Sequence, residues 1–232
     1  MPRDVLTVEQ IVKAAIEQLD EEGLDGLNMR ALGQRLGSAP TAIYWHLKTK
    51  DELVQRAGDA IWAEVALPDL ETTDWRTAAT AMATGLRAML VRHPWYAQAF
   101  GSHLLAGRGM FGYDDHSLAL YERAGFSPDD ADRAAGTVLV FVIGSALGAA
   151  AEVSLNRRLS RGGQDAERTM REFMVHAESL ASQFQHLRSR LETTAAQEYA
   201  AAPDGTFEFG LGSILDGFAA RLAAATGGRR PR

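Results

Sequence analysis

Arg30, Arg35, Thr41, Tyr44, Trp45, His46, Lys48 and Lys50 all fall in one stretch, Asn28 to Lys50, that contains no Asp or Glu. The chain as a whole is acidic, with 30 Asp and Glu against 24 Lys and Arg and a formal charge of -6. Lys48 and Lys50 are two of the three lysines in the protein. Cations beside hydroxyl, imidazole and indole donors suit a polyanion: the cations neutralise phosphates, and the neutral donors reach base edges. The net negative charge excludes bulk electrostatic attraction to nucleic acid, so any such contact must be local. Pro40, Thr41 and Ala42 are short enough to let a helix approach a groove closely. Ile43 and Leu47 share one helical face and can anchor it, which leaves Thr41, Tyr44, Trp45 and His46 outward. Taken singly, Tyr44 and Trp45 suit a core, His46 suits a structural role, and two lysines suit a solvated corner. Their order within an acid-free window favours the nucleic-acid reading.

Other chemistries find little support. There is no cysteine, hence no disulfide and no thiolate, which fits a reducing cytoplasm. No nucleophile motif, metal-ligand spacing or phosphate-binding glycine loop is present, so an enzyme or carrier is the rival reading without a motif behind it. Asp114-Asp115-His116 reads as a charged loop in preference to a metal cluster, and no metal or cofactor is expected. Met82, Leu86, Met89, Trp95, Phe100, Phe111 and Phe141, with His103 and His116 among them, suit a pocket for a flat or bulky apolar molecule. The same stripe at helical spacing also suits plain core.

The elements that would hold these side chains are helices. Val8, Ile11, Val12, Ala15, Ile16 and Leu19 form one helical face, opened by a Thr7/Gln10 capping box and ended by Gly23. Asn28 caps a short helix stopped at Gly37, and Pro40 starts the next. Thr49 and Glu52 form a capping box for a fourth helix, and Leu67-Pro68-Asp69 is the junction. Beyond it the pattern predicts helices over 74–92, 94–100 and 116–124, with a Gly-rich break over 101–112. A long helix runs from Pro128 to about Leu155, followed by a basic loop over 157–163. Residues 166–199 read as helix with a break, Pro203-Asp204-Gly205 as a turn, and 207–225 as a last amphipathic helix; the tail reads as disordered. The uncharged run 134–151 is either a membrane span or a helix buried in a core or interface, and its Ala/Gly-rich second half favours the latter. Gly144 and Gly148 give a smooth ridge for close helix approach, within the monomer or between copies.

Ile11, Ala14 and Ala15, then Gly23 and Gly26, Met29-Arg30-Ala31-Leu32, Leu36-Gly37 and Ile43-Tyr44-Trp45-His46 with Lys50 and Leu53 form a specific pattern. Through it, residues 7–62 resemble the DNA-binding domain of the TetR family of bacterial transcriptional regulators. Trp75, Ala124-Gly125-Phe126-Ser127, Gly210-Leu211, Ile214-Leu215 and Gly217-Phe218 are similar to the C-terminal domain of the tetracycline-repressor subgroup. The resemblance implies an all-α fold. Residues 1–66 would be a three-helix helix-turn-helix DNA-binding domain, and residues 67–232 a larger helical ligand-binding and dimerisation domain. It implies a homodimer on a near-palindromic double-stranded operator, repression relieved by a small-molecule effector, and no membrane attachment. Arg30, Pro40, Thr41, Ala42, Tyr44, Trp45, His46, Lys48 and Lys50 are then the expected DNA-binding positions. Gly144, Gly148, Leu211, Leu215 and Phe218 are the expected dimer positions. Pro40 and Ala42 stand where the subgroup reads bases with Gln and Thr, which implies a different operator, read through thymine methyls or shape. Phe100 and Gly148 stand where the subgroup places its magnesium-linked His and Glu, with His103 and Glu152 out of register, so no metal–tetracycline site is expected. An activator, or a regulator that needs no ligand, stays open.

Overall fold

The computed structural model describes residues 6–161, 166–191 and 203–227. Its first four helices are α1 (Val8–Gly26), α2 (Met29–Arg35), α3 (Pro40–His46) and α4 (Lys50–Ile61), the last running into a 3-10 turn over Trp62–Glu64. Next come α5 (Trp75–Arg92), α6 (Pro94–Ala99), α7 (Arg108–Ala124) and α8 (Pro128–Arg161). Then follow α9 (Ala166–Ala181), α10 (Gln185–Leu191) and α11 (Pro203–Gly227). There is no strand among the described residues.

The start signals in the sequence act as written. The Thr7 hydroxyl accepts from the Gln10 N–H at 3.2 Å, and the Gln10 amide oxygen accepts from the Thr7 N–H at 2.9 Å. Asn28 accepts from the N–H groups of Arg30 and Ala31, and Asp74 does the same for Arg76 and Thr77. At α4 the expected reciprocal box is displaced by one residue. Thr49 accepts from the Glu52 N–H, but the Glu52 carboxylate turns to the N–H of Lys48 instead of Thr49. Gly23 interrupts α1 with φ of 73°, and helical geometry resumes up to Gly26.

Three expected boundaries move. α7 begins at Arg108, not near His116, because its first turn is capped from outside: the Asp59 carboxylate of α4 accepts from the N–H groups of Arg108, Gly109 and Met110. α8 continues through Arg161, so residues 157–161 are helix and not loop; 162–165 lie outside the described residues. Pro203-Asp204-Gly205 is the first turn of α11, with Pro in the position where a missing N–H costs nothing. The break expected within 166–199 lies between α9 and α10; 192–199 and the tail lie outside the described residues.

α8 is the hub of the C-terminal helices, packing against α5, α6, α7 and α11. Its stretch Pro128–Gly148 is long and apolar enough to cross a membrane by length and composition. One stripe of it, Ala131, Ala134, Val138, Val142, Ala146 and Ala150, is buried. That stripe of small and β-branched residues is what lets four neighbours approach. The other side of α8 leaves Val140 71% exposed, with Gly144, Leu147 and Gly148 also uncovered.

Candidate nucleic-acid interface

α3 is positioned by a few buried apolar contacts. Ile43 and Leu47 are fully buried with Leu32 of α2 and Ile11, Ala15 and Leu19 of α1. Each such residue contributes about 1.5–3 kcal/mol through burial, enough to fix the rotation of a seven-residue helix that could not stand alone. The α2–α3 turn needs glycine twice. Gly37 adopts φ of +61°, and a Cβ at Gly33 would meet the Ser38 carbonyl oxygen at 2.8 Å and the Pro40 nitrogen at 3.2 Å. Gly33 was not singled out from sequence; its spacing from Pro40 is the only signal there.

With the inner face fixed, the outer face follows. Trp45 is 88% exposed, Tyr44 about half, and Thr41 and His46 are exposed with them. Arg30 and Lys48 are exposed beside this face, and Pro40 and Ala42 are half-buried. The core reading of Tyr44 and Trp45 therefore fails. Lys50 behaves otherwise: its ammonium donates to the Leu24 carbonyl at 3.1 Å, tying the start of α4 to the last turn of α1. Arg35, also in the acid-free window, forms an ion pair with Glu21.

Two clusters of polar contacts join this unit to the C-terminal helices. In the first, Asp59 caps α7 as above, Gln55 donates to the Ala106 carbonyl at 2.9 Å, and the Trp62 indole donates to the Tyr96 hydroxyl at 2.7 Å. Gly107 and Gly109 have no side chain to obstruct the approach of Asp59. Burial pushes the Tyr96 phenol up to about 12, so it stays neutral and accepts from the indole. In the second, Asp20 of α1 accepts from the Trp95 indole at 2.8 Å and lies 2.7 Å from Nδ1 of His93, while Glu64 lies 3.0 Å from Nε2. None of Asp20, Asp59 or Glu64 stands out from sequence, because each finds its partner far along the chain.

The expected pocket residues separate into groups. Met82 lines a cavity of about 10 Å³ between α5, α7 and α8 with Tyr113, Ser117, Leu120, Tyr121 and Val138. That holds at most one water. Burial raises the Tyr113 and Tyr121 phenols, so both hydroxyls remain protonated. Leu86 and Met89 are buried on α5, and Phe100 packs edge-on against Tyr96. Trp95 is fully buried and turned to α1. Phe141 stacks on Phe207, over which the Arg87 guanidinium also lies at 4.8 Å. Phe111 is mostly exposed. His103 lies 3.7 Å from Asp51, and His116 contacts the Pro68 carbonyl at 2.8 Å. His116 is thus engaged with a backbone carbonyl, and among the described residues no three His, Asp or Glu converge as metal ligands.

Three of the expected dimer positions are engaged within the single chain. Leu211 and Leu215 are buried by their own chain, and Phe218 packs edge-on against Tyr121 and Phe126. Their side chains are used inside the monomer. On α11 the exposed large hydrophobic residue, among the described residues, is Phe209.

Residues 11–57 match the family described as bacterial regulatory proteins, tetR family, and residues 67–222 match the tetracyclin repressor-like C-terminal domain. The chain belongs to the TetR family. The tetracycline repressor class A from transposon 1721 of Escherichia coli is 29% identical over 96% of this chain and 94% of its own. The HTH-type transcriptional repressor DrrR1 of Streptomyces coeruleorubidus is 29% identical over 99% of this chain and 83% of its own. An HTH-type transcriptional regulator of Saccharopolyspora erythraea is 38% identical, but the match spans 62% of this chain and 61% of that relative. In structure, ActR of Streptomyces coelicolor in complex with actinorhodin superposes with a TM-score of 0.71 and 26% identity, covering 96% of this chain and 98% of that one. This TetR-family chain is a DNA-binding transcriptional repressor and not an enzyme. Regulators of the family bind DNA operators and small-molecule effectors, act as dimers, and are generally cytoplasmic.

Proposed function

We propose that residues 1–66 read a palindromic operator through α3 and that residues 67–232 form the effector and dimer unit of a cytoplasmic repressor. The observation that carries the reading is the split of α3, with Ile43 and Leu47 at 0% exposure and Trp45 at 88%. A short helix held so firmly on one side has its aromatic and polar side chains free for a groove. Trp45 and Thr41 approach bases, while Tyr44, His46, Arg30 and Lys48 approach phosphates. Lys50 acts indirectly, by holding α4 against α1. Pro40 and Ala42 offer no side-chain donor, so they contribute shape and methyl contact.

The effector unit centres on α5, α7 and α8, where Met82, Tyr113, Ser117 and Tyr121 combine apolar walls with hydroxyls. A bulky molecule enters there only if α7 moves away from α5 and α8. Because Asp59 caps α7, that movement reaches α4 and the operator contacts. Effector and operator then oppose each other by linkage.

The test uses a duplex selected by the wild-type chain from a random-sequence pool, with affinity read by fluorescence anisotropy. Lys48→Ala is expected to weaken binding roughly tenfold on all duplexes and to lower the salt slope by about 1 per protomer. Trp45→Ala is expected to relax base preference, costing about 1–3 kcal/mol on the selected site and less on random DNA. If Tyr44→Ala, Trp45→Ala and Lys48→Ala all bind as wild type does, α3 is not the reading helix.

A further inference from the structure

His93 joins α5 to α6 and is 3% exposed, yet both of its ring nitrogens face carboxylates. Nδ1 lies 2.7 Å from Asp20 on α1, and Nε2 lies 3.0 Å from Glu64 in the 3-10 turn that ends α4. A neutral imidazole donates from one nitrogen only and would point the lone pair of the other at a carboxylate. Only the imidazolium, with two N–H donors, satisfies both sides. The charged groups facing it are Asp20 from α1 and Glu64 from the turn, with Arg92 of α5 paired to the same Glu64. α6 contributes the uncharged indole N–H of Trp95, which donates to the same oxygen of Asp20. Glu64 also borders the open groove that Lys13, Glu17, Arg56 and Asp59 line.

We propose that His93 is a positioning residue for operator recognition: as an imidazolium clasped between Asp20 and Glu64, it holds α1 at a fixed angle to the α5–α6 corner. The inference rests on α3 being the reading helix. Loss of the proton breaks one side of the clasp, frees α1, and lowers the fraction of molecules with both reading heads aligned. Burial by itself would disfavour the charged ring, but the hydrogen bonds from Asp20 and Glu64 and their charges outweigh it, holding the His93 pKa above its ordinary value. The sign follows. The stabilisation is complete below the ordinary histidine pKa of about 6.5 and is lost as pH rises through the raised value.

A second histidine, His46, lies on the proposed reading helix α3, so the experiment is run in a His46→Gln background with the full chain and a duplex selected at pH 6. Between pH 6 and pH 9 this parent is expected to lose roughly tenfold in operator affinity. With His93→Gln added, affinity is expected to be lower at pH 6 and to change less than about twofold across the range. A second readout needs no DNA. Ring-nitrogen NMR of the free protein should show two His93 N–H protons at pH 6.5, and Asp20→Asn should shift their loss to lower pH. A single N–H at pH 6.5, or a His93→Gln affinity profile parallel to the parent's, overturns the proposal. Two N–H protons with no selectable duplex would instead point to failure of the DNA-reading assignment.

Discussion

Gly33 shows how narrow the tolerance is at single residues. A methyl there cannot fit between the Ser38 carbonyl and the Pro40 ring without displacing one of them. Backbone must move, so Gly33→Ala is expected to destabilise the α2–α3 unit by about 1–3 kcal/mol. Differential scanning calorimetry would register a lower first transition, and an unchanged melting profile would refute the assignment. Gly37→Ala acts on the same turn by another route, since φ of +61° is unfavourable for any residue with a Cβ. Lys50 is the counterexample to reading residue type as role. A lysine next to a recognition helix suggests phosphate, yet its ammonium is committed to the Leu24 carbonyl. Lys50→Met should therefore cost stability at the α1–α4 contact more than it changes the salt slope of DNA binding.

At the scale of elements, caps decide what can be read ahead of the fold. α1, α2 and α5 carry their capping residues within three positions of the first turn; Thr7 and Asn28 mark the first two starts in the sequence, and periodicity alone marks the third. The start of α7 is not marked, because its cap, Asp59, lies on α4. Without a local cap, the glycines at 107, 109 and 112 read as a break. The same limit explains Leu211 and Leu215: periodicity puts them on one face but does not say whether that face meets its own chain or another. Trp95 likewise read as a pocket aromatic until its indole met Asp20. Asp59→Ala should cost about 1–2 kcal/mol through the lost cap. Hydrogen exchange would locate it, with the Arg108, Gly109 and Met110 amides exchanging faster than in wild type and those of α8 unchanged. Equal protection of the three amides would show that Asp59 is not their acceptor.

For the whole molecule, the exposed apolar side chains Val140 and Leu147 on α8 and Phe209 on α11 are what a dimer of this chain would cover. We expect Val140→Asp to convert the dimer to monomer in analytical ultracentrifugation without loss of helical circular dichroism. Operator affinity should fall by orders of magnitude, because two half-sites are no longer bound together. A dimer that survives the substitution places the interface elsewhere. The acid-free window shows how far sequence reaches at this scale: it picks out the face we propose for the operator, while the contacts that tie that face to the C-terminal helices rest on carboxylates that look like ordinary surface acids. Asp20 and Asp59 also bear on anyone who would exchange sensing units between regulators of this kind. The peptide junction near Pro68 invites a cut, but a hybrid joined there keeps both carboxylates on the operator side and discards their partners at His93, Trp95 and the first turn of α7. Such a hybrid would leave two acids facing apolar or mismatched surface, and could fold in both halves yet answer to no inducer. A transferable unit must therefore be specified by these contacts as well as by the splice point.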